Sequence, residues 1–167
     1  MHARGVDDAI RDRLADLWDA RVAHVRAHPE DREELTGFYW FVKSGKFAVQ
    51  WWLPRLKEAA QLDPQLRAEH YMIGREIALS ADFDPRAAFD VLKLLLEGRE
   101  EAGMAVYDLT RNAVPMVIAK AIASGDVGLK RDAEAYMNDL GEAGNLGLQS
   151  EVAKFLDGTL SRDDVDE

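Results

Sequence analysis

Glycine and proline mark the ends of helix-like segments along most of the chain, and this punctuation constrains the fold more than any other feature. Asp63-Pro64 and Asp84-Pro85 each place a carboxylate before a proline. The carboxylate can accept from backbone N–H groups that the first helical turn leaves unpaired, and proline suits that turn because it has no N–H. Helix ends are predicted where a glycine follows an apolar-periodic stretch, at Gly45, Gly98, Gly125, Gly141 and Gly158.

The segments between these marks carry apolar residues at helical spacing, which predicts about eight helices. No stretch alternates with the period of two that is typical of a strand, so the predicted class is all-α. Pro54 and Pro115 interrupt helical patterns, and each is expected to kink a helix or to begin one. The predicted helices span residues 6–27, 29–44, 48–62, 64–80, 85–98, 104–124, 127–140 and 146–156.

Short connections between these helices require antiparallel neighbours. Helix starts near residues 48, 85 and 127 recur at about 40 residues, as in the two-helix repeats of HEAT and armadillo proteins. The small-residue turn Ser44-Gly45-Lys46 also recurs as Ser124-Gly125-Asp126. We therefore predict one domain over residues 1–158, a short α-solenoid of antiparallel helix pairs in which helix 6–27 either caps the stack or joins it. A compact helical bundle is the alternative, because short loops suit both architectures.

The charge of the chain restricts its partners. A formal charge of −10 argues against nucleic acid, because phosphate binding needs clustered Lys and Arg. Residues 126–167 carry four basic side chains against eleven acidic ones, and the acidic end, residues 159–167, is expected to be a disordered, solvated tail. The sequence contains no run of 18 apolar residues, no cysteine and no apolar leader. These absences predict a bacterial-type cytoplasmic protein with no membrane contact.

Lys46 follows Gly45 and prompts a comparison with phosphate-binding loops. Such a loop needs a glycine five residues before its Gly-Lys pair and a Ser or Thr after the lysine to reach magnesium. Trp40 and Phe47 occupy those two places. The sequence therefore has no nucleotide-binding loop of this type, and any nucleotide hydrolysis is expected to belong to another chain or domain.

His24 and His28 are four residues apart, a spacing that can chelate a metal on one helical face. The ligand set is incomplete, because the zincin motif requires a glutamate directly after the first histidine and Val25 stands there. Neither a nucleophile elbow nor a di-iron pattern is present. We therefore predict no catalytic residues, no cofactor and no metal site, and expect that the chain is not an enzyme.

Seven of the fourteen aromatic residues lie between Phe38 and Trp52. Four consecutive aromatics on a helix point in nearly every direction, so one packing partner cannot cover them all. The cluster is either core or, in part, an exposed patch that binds a partner. Of the adjacent tryptophans we expect Trp52 to be the exposed one, because Phe47 and Trp51 have the spacing of a packed pair. The predicted partner-binding residues are Tyr39, Trp40, Phe47, Trp51 and Trp52.

Two stretches of the sequence carry a resemblance to a known class of helical-repeat regions. One is Phe41-Val42-Lys43-Ser44-Gly45-Lys46-Phe47, with Trp51 and Leu56 after it; the other is Ala119-Lys120-Ala121-Ile122-Ala123-Ser124-Gly125-Asp126, with Leu140-Gly141-Glu142-Ala143-Gly144 after it. Over residues 36–156 the chain resembles HEAT-like regions at the C-terminal ends of large bacterial multidomain proteins, often nucleotide-binding ones proposed to act in anti-phage defence. It differs from them at Pro54, where those regions continue a helix, and in lacking their N-terminal effector and ATPase modules.

This resemblance implies a sensing or assembly scaffold with no catalytic residues of its own, present here as a fragment or as a free-standing adaptor. Together with the repeat period it predicts a non-enzymatic module that binds another protein. The alternative function is a helical bundle that holds a small apolar ligand in a cavity among aromatic side chains and a methionine. The residues that would line such a cavity are Trp18, Trp40, Trp51 and Met72.

Overall fold

The computed structural model describes residues 8–35, 37–63, 73–97 and 112–166, and no strand occurs within these ranges. The prediction of an all-α fold is confirmed. Two 3-10 segments, Pro29–Leu35 and Arg162–Asp166, accompany the α-helices. The α-helices of these ranges are α1 Asp8–Ala27, α2 Tyr39–Lys43, α3 Val49–Leu62, α4 Gly74–Ser80, α5 Pro85–Leu96, α6 Ala113–Ala123, α7 Val127–Glu142 and α8 Leu148–Leu156.

Two predicted boundaries are wrong, and two predicted helices, 64–80 and 104–124, are not continuous, since α4 begins at Gly74 and α6 at Ala113. The helix predicted over residues 29–44 is divided at Gly37, whose φ of 90° a helix cannot accommodate, into a 3-10 segment and the short α2. The end predicted at Gly141 falls instead at Gly144, with φ 105°. There the backbone and side-chain N–H groups of Asn145 both donate to the Leu140 carbonyl, at 3.0 and 2.9 Å, and so satisfy the end of α7. The predicted starts at 64 and 104 and the stop at Gly98 lie outside the described residues.

Carboxylates begin α5 and α7. The Oδ1 atom of Asp84 accepts the Ala87 N–H at 2.9 Å, with Pro85 in the first turn, as the sequence predicts. Asp126 accepts the Leu129 N–H at 3.0 Å in the same way. Asp63 is buried and ends α3, while its neighbour Pro64 lies outside the described ranges.

The cap of α7 predicts a pH dependence. The pKa of Asp126 lies below its usual range, first because Leu129 N–H donates to the carboxylate and then because Arg86 donates to it at 3.1 Å. A depressed folded pKa contributes stability above the ordinary Asp pKa of about 3.9 and loses it as pH falls through the folded value. Asp126→Asn should therefore lower the urea midpoint at pH 7, and its difference from wild type should shrink towards pH 3. As a control, Asp12→Asn at an exposed position should leave the urea midpoint at pH 7 unchanged.

The two Ser-Gly turns have the same hydrogen bonding. The hydroxyl of Ser44 donates to the Phe41 carbonyl at 2.8 Å and accepts the Lys46 N–H at 3.2 Å. The equivalent bonds of Ser124, to Ala121 and Asp126, have the same two lengths. Gly45 and Gly125 have positive φ, 62° and 82°, so both predicted left-handed stops are confirmed. The two helix–helix turns, although distant in sequence, therefore share the same hydrogen bonds and the same left-handed glycine.

The two prolines of the helical patterns occupy different positions in their helices. Pro115 lies in the first turn of α6, where helical N–H groups have no intrahelical acceptor, so it begins a helix. Pro54 lies inside α3 and removes one helical hydrogen bond. Next to it, the Arg55 guanidinium donates to the Trp51 carbonyl at 3.2 Å.

The core centres on α6, which contacts α4, α5, α7 and α8. All residues from 113 to 119 are buried, and a helix that is apolar around its whole circumference needs neighbours on every side. To one side of this centre α3 packs on α5, and α1 contacts both α3 and the segment Pro29–Leu35. No helix within the described ranges is both long and apolar enough to cross a bilayer.

The acidic C-terminal end differs from the disordered tail that the sequence predicted. Residues Arg162–Asp166 form a 3-10 turn that contacts α4 and α6, and Val165 is buried. The Asn112 amide donates to the Asp164 carbonyl at 2.6 Å. The Asp164 carboxylate accepts the N–H and the hydroxyl of Ser161, at 2.6 and 2.9 Å, which holds its pKa below the usual range. One buried aliphatic side chain and these local bonds hold the acidic segment on the helices.

Candidate partner-binding site

An aromatic cluster joins the first three helices. Trp18 of α1 contacts Phe38 with 4.4 Å between ring centroids, and Phe38 stacks on Phe41 at 5.5 Å. Phe41 contacts Phe47 at 5.3 Å, and Phe47 stacks on Trp51 of α3 at 4.4 Å. Tilted and offset ring pairs at such distances stabilise beyond the area they bury. Most of the aromatic segment is therefore core, and the packing of Phe47 on Trp51 is as predicted.

The five predicted partner-binding residues do not share one surface. Phe47 and Trp52 are buried, Tyr39 and Trp51 are half-buried, and Trp40 is 64% exposed. The expectation that Trp52 is the exposed member of its pair is wrong, since its side chain is only 4% exposed. Trp52 belongs to the buried stripe of α3, which recurs at helical spacing and faces the core. The members of this stripe are Trp52, Leu53, Leu56, Ala59 and Ala60.

Arg55 covers the outer part of Trp51. Its guanidinium lies 4.7 Å from the centroid of the Trp51 ring, an arrangement typical of cation–π contacts. The same group donates twice to the Asp19 carboxylate, with both N–O distances at 2.9 Å. This bidentate pair ties α3 to α1 and fixes the side chain that shields Trp51. Trp51 is therefore not available as a free aromatic surface.

Trp40 is displayed by a short, well-anchored helix. Its neighbours Phe38 and Val42 are buried and Phe41 packs on the core, so α2 presents this one large ring outward. The backbone N–H of Trp40 donates to the Gly37 carbonyl at 3.0 Å. The Trp40 indole packs against the Tyr39 ring, with 5.0 Å between centroids. A large ring on a fixed backbone loses little conformational freedom when another surface covers it. Of the predicted set, Trp40 has the geometry of a binding anchor.

A cleft of about 370 Å³ lies among α3, α5 and α7. Lys57 and Asp90 form an ion pair across it at 2.7 Å, and the Lys93 ammonium lies 5.3 Å from the centroid of the Tyr136 ring. Two lysines face two carboxylates, so the cleft has no net formal charge that would favour an anion or a cation. Its lining residues are Lys57, Gln61, Asp90, Lys93, Leu94, Glu97 and Tyr136.

The packing of the aromatic cluster argues against the alternative of a small apolar ligand. Trp18 and Trp51 both contact Phe41, with centroid distances of 5.7 Å each, so these rings fill the space between them. Trp40 points to solvent instead of towards them. Met72, the fourth residue of that hypothesis, lies outside the described residues.

The histidine pair interacts with nearby carboxylates. His24 and His28 stack with 4.8 Å between centroids, and His24 Nε2 lies 2.7 Å from a carboxylate oxygen of Asp31. His28 Nδ1 lies 3.5 Å from Glu30. Within the part of the chain that the structure describes, no three side chains of the kinds that bind metals converge on one point.

Comparisons of the chain with protein-family models, curated proteins and solved structures gave no match. No residue role can therefore be transferred from a relative. The resemblance to HEAT-like regions stays a prediction.

Proposed function

We propose that this chain is a non-enzymatic protein-interaction module, a scaffold or adaptor built from stacked HEAT-like helix pairs. The repeated geometry of the turns at Ser44 and Ser124 supports the stack, because these turns lie about two 40-residue periods apart. Contacts of α3 with α5 and of α6 with α8 are those that successive pairs would make. The resemblance adds a role in sensing or assembly within a bacterial defence-type system.

The exposure of Trp40 is the observation that carries the proposal. A few residues account for most of the binding free energy at protein interfaces, and tryptophan is among the types enriched there. This ring stands out of a segment whose other aromatics are packed into the core, on a helix held by that packing. An exposed indole on an anchored helix favours a partner surface, since a ring that solvent surrounds contributes little to the folding of the free chain.

The interaction can be tested with a matched pair of variants. A partner captured by the wild-type chain is purified, and its dissociation constant is measured against wild type, Trp40→Ala and Leu146→Ala. Leu146 is 88% exposed and lies far along the chain from α2. We expect Trp40→Ala to weaken binding at least about 30-fold, as for an interface hot spot, and Leu146→Ala to have less than a twofold effect.

The melting temperatures of both variants should match that of wild type, so that lost binding is not lost folding. Equal affinity of Trp40→Ala and wild type for every purified partner would contradict the proposed site. Robust nucleotide turnover by the isolated chain, abolished by replacing one of its carboxylates, would contradict the non-enzymatic role.

A further inference from the structure

Trp40 lies in a stretch of positive charge on an otherwise acidic chain. Residues 35–57 contain four cationic side chains and no Asp or Glu, whereas the whole chain has a formal charge of −10. Two of the cations are neutralised, Arg55 by Asp19 and Lys57 by Asp90. The others, Lys43 and Lys46, are exposed and form no ion pair with any carboxylate of the described ranges. Two exposed lysines without an ion pair in these ranges therefore follow the exposed indole within six residues.

Trp40, Lys43 and Lys46 lie within seven residues of the chain, on α2 and just after its end. Lys43 follows Trp40 by three residues on α2, and residues at that spacing are neighbours on one helical face. Lys46 is fixed just beyond the helix end, because its N–H donates to the Ser44 hydroxyl at 3.2 Å and Gly45 adopts the left-handed turn. We call Trp40, Lys43 and Lys46 the Trp40 patch.

We propose that the Trp40 patch binds an acidic segment of the partner protein, with carboxylates at the two ammonium groups and an apolar side chain on the indole. This inference rests on the proposed function and names the chemistry of its partner. Charge complementarity carries it: residues 35–57 contain no carboxylate, and salt screens charges beyond about 8–10 Å, so a short segment interacts most strongly with the two lysines that it contacts.

Other polyanions fit the patch less well. Two free lysines are few for a nucleic-acid backbone, and a long polyanion would also meet the acidic surface around them. An anionic bilayer presents the same difficulty over a larger area. The chain's own acidic end is held elsewhere, with Val165 buried against the helices. A short carboxylate-rich peptide segment matches the charge of the patch without the need for a long basic surface.

The probe is a synthetic pentapeptide with four carboxylates around one leucine, and its control has amides in place of the carboxylates. In proton–nitrogen correlation spectra the indole signal of Trp40 is assigned as the one that Trp40→Phe removes. We expect the acidic peptide to shift this signal and the Lys43 and Lys46 amides saturably. The apparent affinity should fall about tenfold between 50 and 300 mM salt, because screening weakens exposed charge pairs.

Charge reversal supplies the matched variants. Lys43→Glu with Lys46→Glu should weaken peptide binding at least about tenfold, whereas Lys130→Glu with Arg131→Glu, the same change of charge on α7, should change it less than about twofold. Both doubles should melt at the wild-type temperature, since all four side chains are exposed.

Three results would overturn the inference. The first is an equal shift of the Trp40 indole signal with the amide peptide, and the second is unchanged peptide affinity of the Lys43/Lys46 double variant. The third is a shift of the patch signals by phosphatidylserine vesicles or single-stranded DNA but not by the peptide. The captured partner separates this failure from that of the proposed function. If Trp40→Ala abolishes its binding but the Lys43/Lys46 double variant binds it normally, only the acidic-segment inference fails. If Trp40→Ala has no effect, both fail.

Discussion

Trp52→Ala should lower the free energy of unfolding by about 3–5 kcal/mol, whereas Trp40→Ala should change it by less than about 0.5 kcal/mol. The two residues are of the same type and lie twelve positions apart in one aromatic segment. Trp52 is 4% exposed and belongs to the buried stripe of α3, whereas Trp40 is 64% exposed on α2. Truncation of Trp52 leaves a cavity in the core, whereas the space left by truncation of Trp40 is filled by solvent. Urea unfolding of both variants, followed by circular dichroism, measures the difference.

Trp52→Phe serves as the control for this contrast, since it keeps an aromatic ring in the same space and should retain most of the stability that alanine loses. Similar losses for Trp40→Ala and Trp52→Ala would show that both rings are core, and the Trp40 patch would then not exist as a surface. Loss of stability in Trp40→Ala alone would reverse the assignment.

Val117→Asp should prevent folding. Val117 is fully buried in α6, which contacts four other helices, so a carboxylate there would lose its hydration. The expected loss exceeds about 4 kcal/mol, a large part of the about 5–15 kcal/mol that stabilises a typical domain. The far-UV spectrum and the thermal transition of the purified variant measure it.

Val127→Asp makes the same chemical change at a surface position. Val127 is 82% exposed at the first residue of α7, where a negative charge interacts favourably with the helix dipole. Its melting temperature should equal or slightly exceed that of wild type. A normal thermal transition in Val117→Asp would contradict the central position of α6 in the core.

Features set by local chemistry could be predicted from the sequence. Asp84-Pro85 begins α5 as expected, because the carboxylate, the proline and the first turn are neighbours in the chain. Gly45 and Gly125 end helices for an equally local reason, the positive φ of the turn. The helical periodicity likewise predicted the class of the fold.

Features that depend on distant residues could not be predicted in the same way. Trp51 is shielded by Arg55, but the position of Arg55 depends on Asp19, 36 residues earlier in α1. The burial of Val165 depends on α4 and α6, which no pattern in the acidic end reveals. Gly141 has the sequence context of a helix stop, yet α7 continues to Glu142, and Gly144 with Asn145 forms the helix end.

The candidate site was predicted in part from local sequence and in part depends on distant residues. The aromatic density of residues 38–52 identified the segment, but five residues were proposed where one is strongly exposed. A narrower prediction was within reach, since Phe38, Phe41 and Val42 have the spacing of one inward helical face and leave Trp40 outside it. That Lys43 and Lys46 are unpaired could not be predicted from the sequence, because only the structure shows which cations of the segment already have partners.

Hydrogen–deuterium exchange of the chain, alone and bound to its purified partner, tests most directly that the Trp40 patch is the docking surface. Protection should be greatest in residues 39–46, while the core amides of α6 should exchange equally in both states. Protection confined to the cleft among α3, α5 and α7, with residues 39–46 unchanged, would contradict this account.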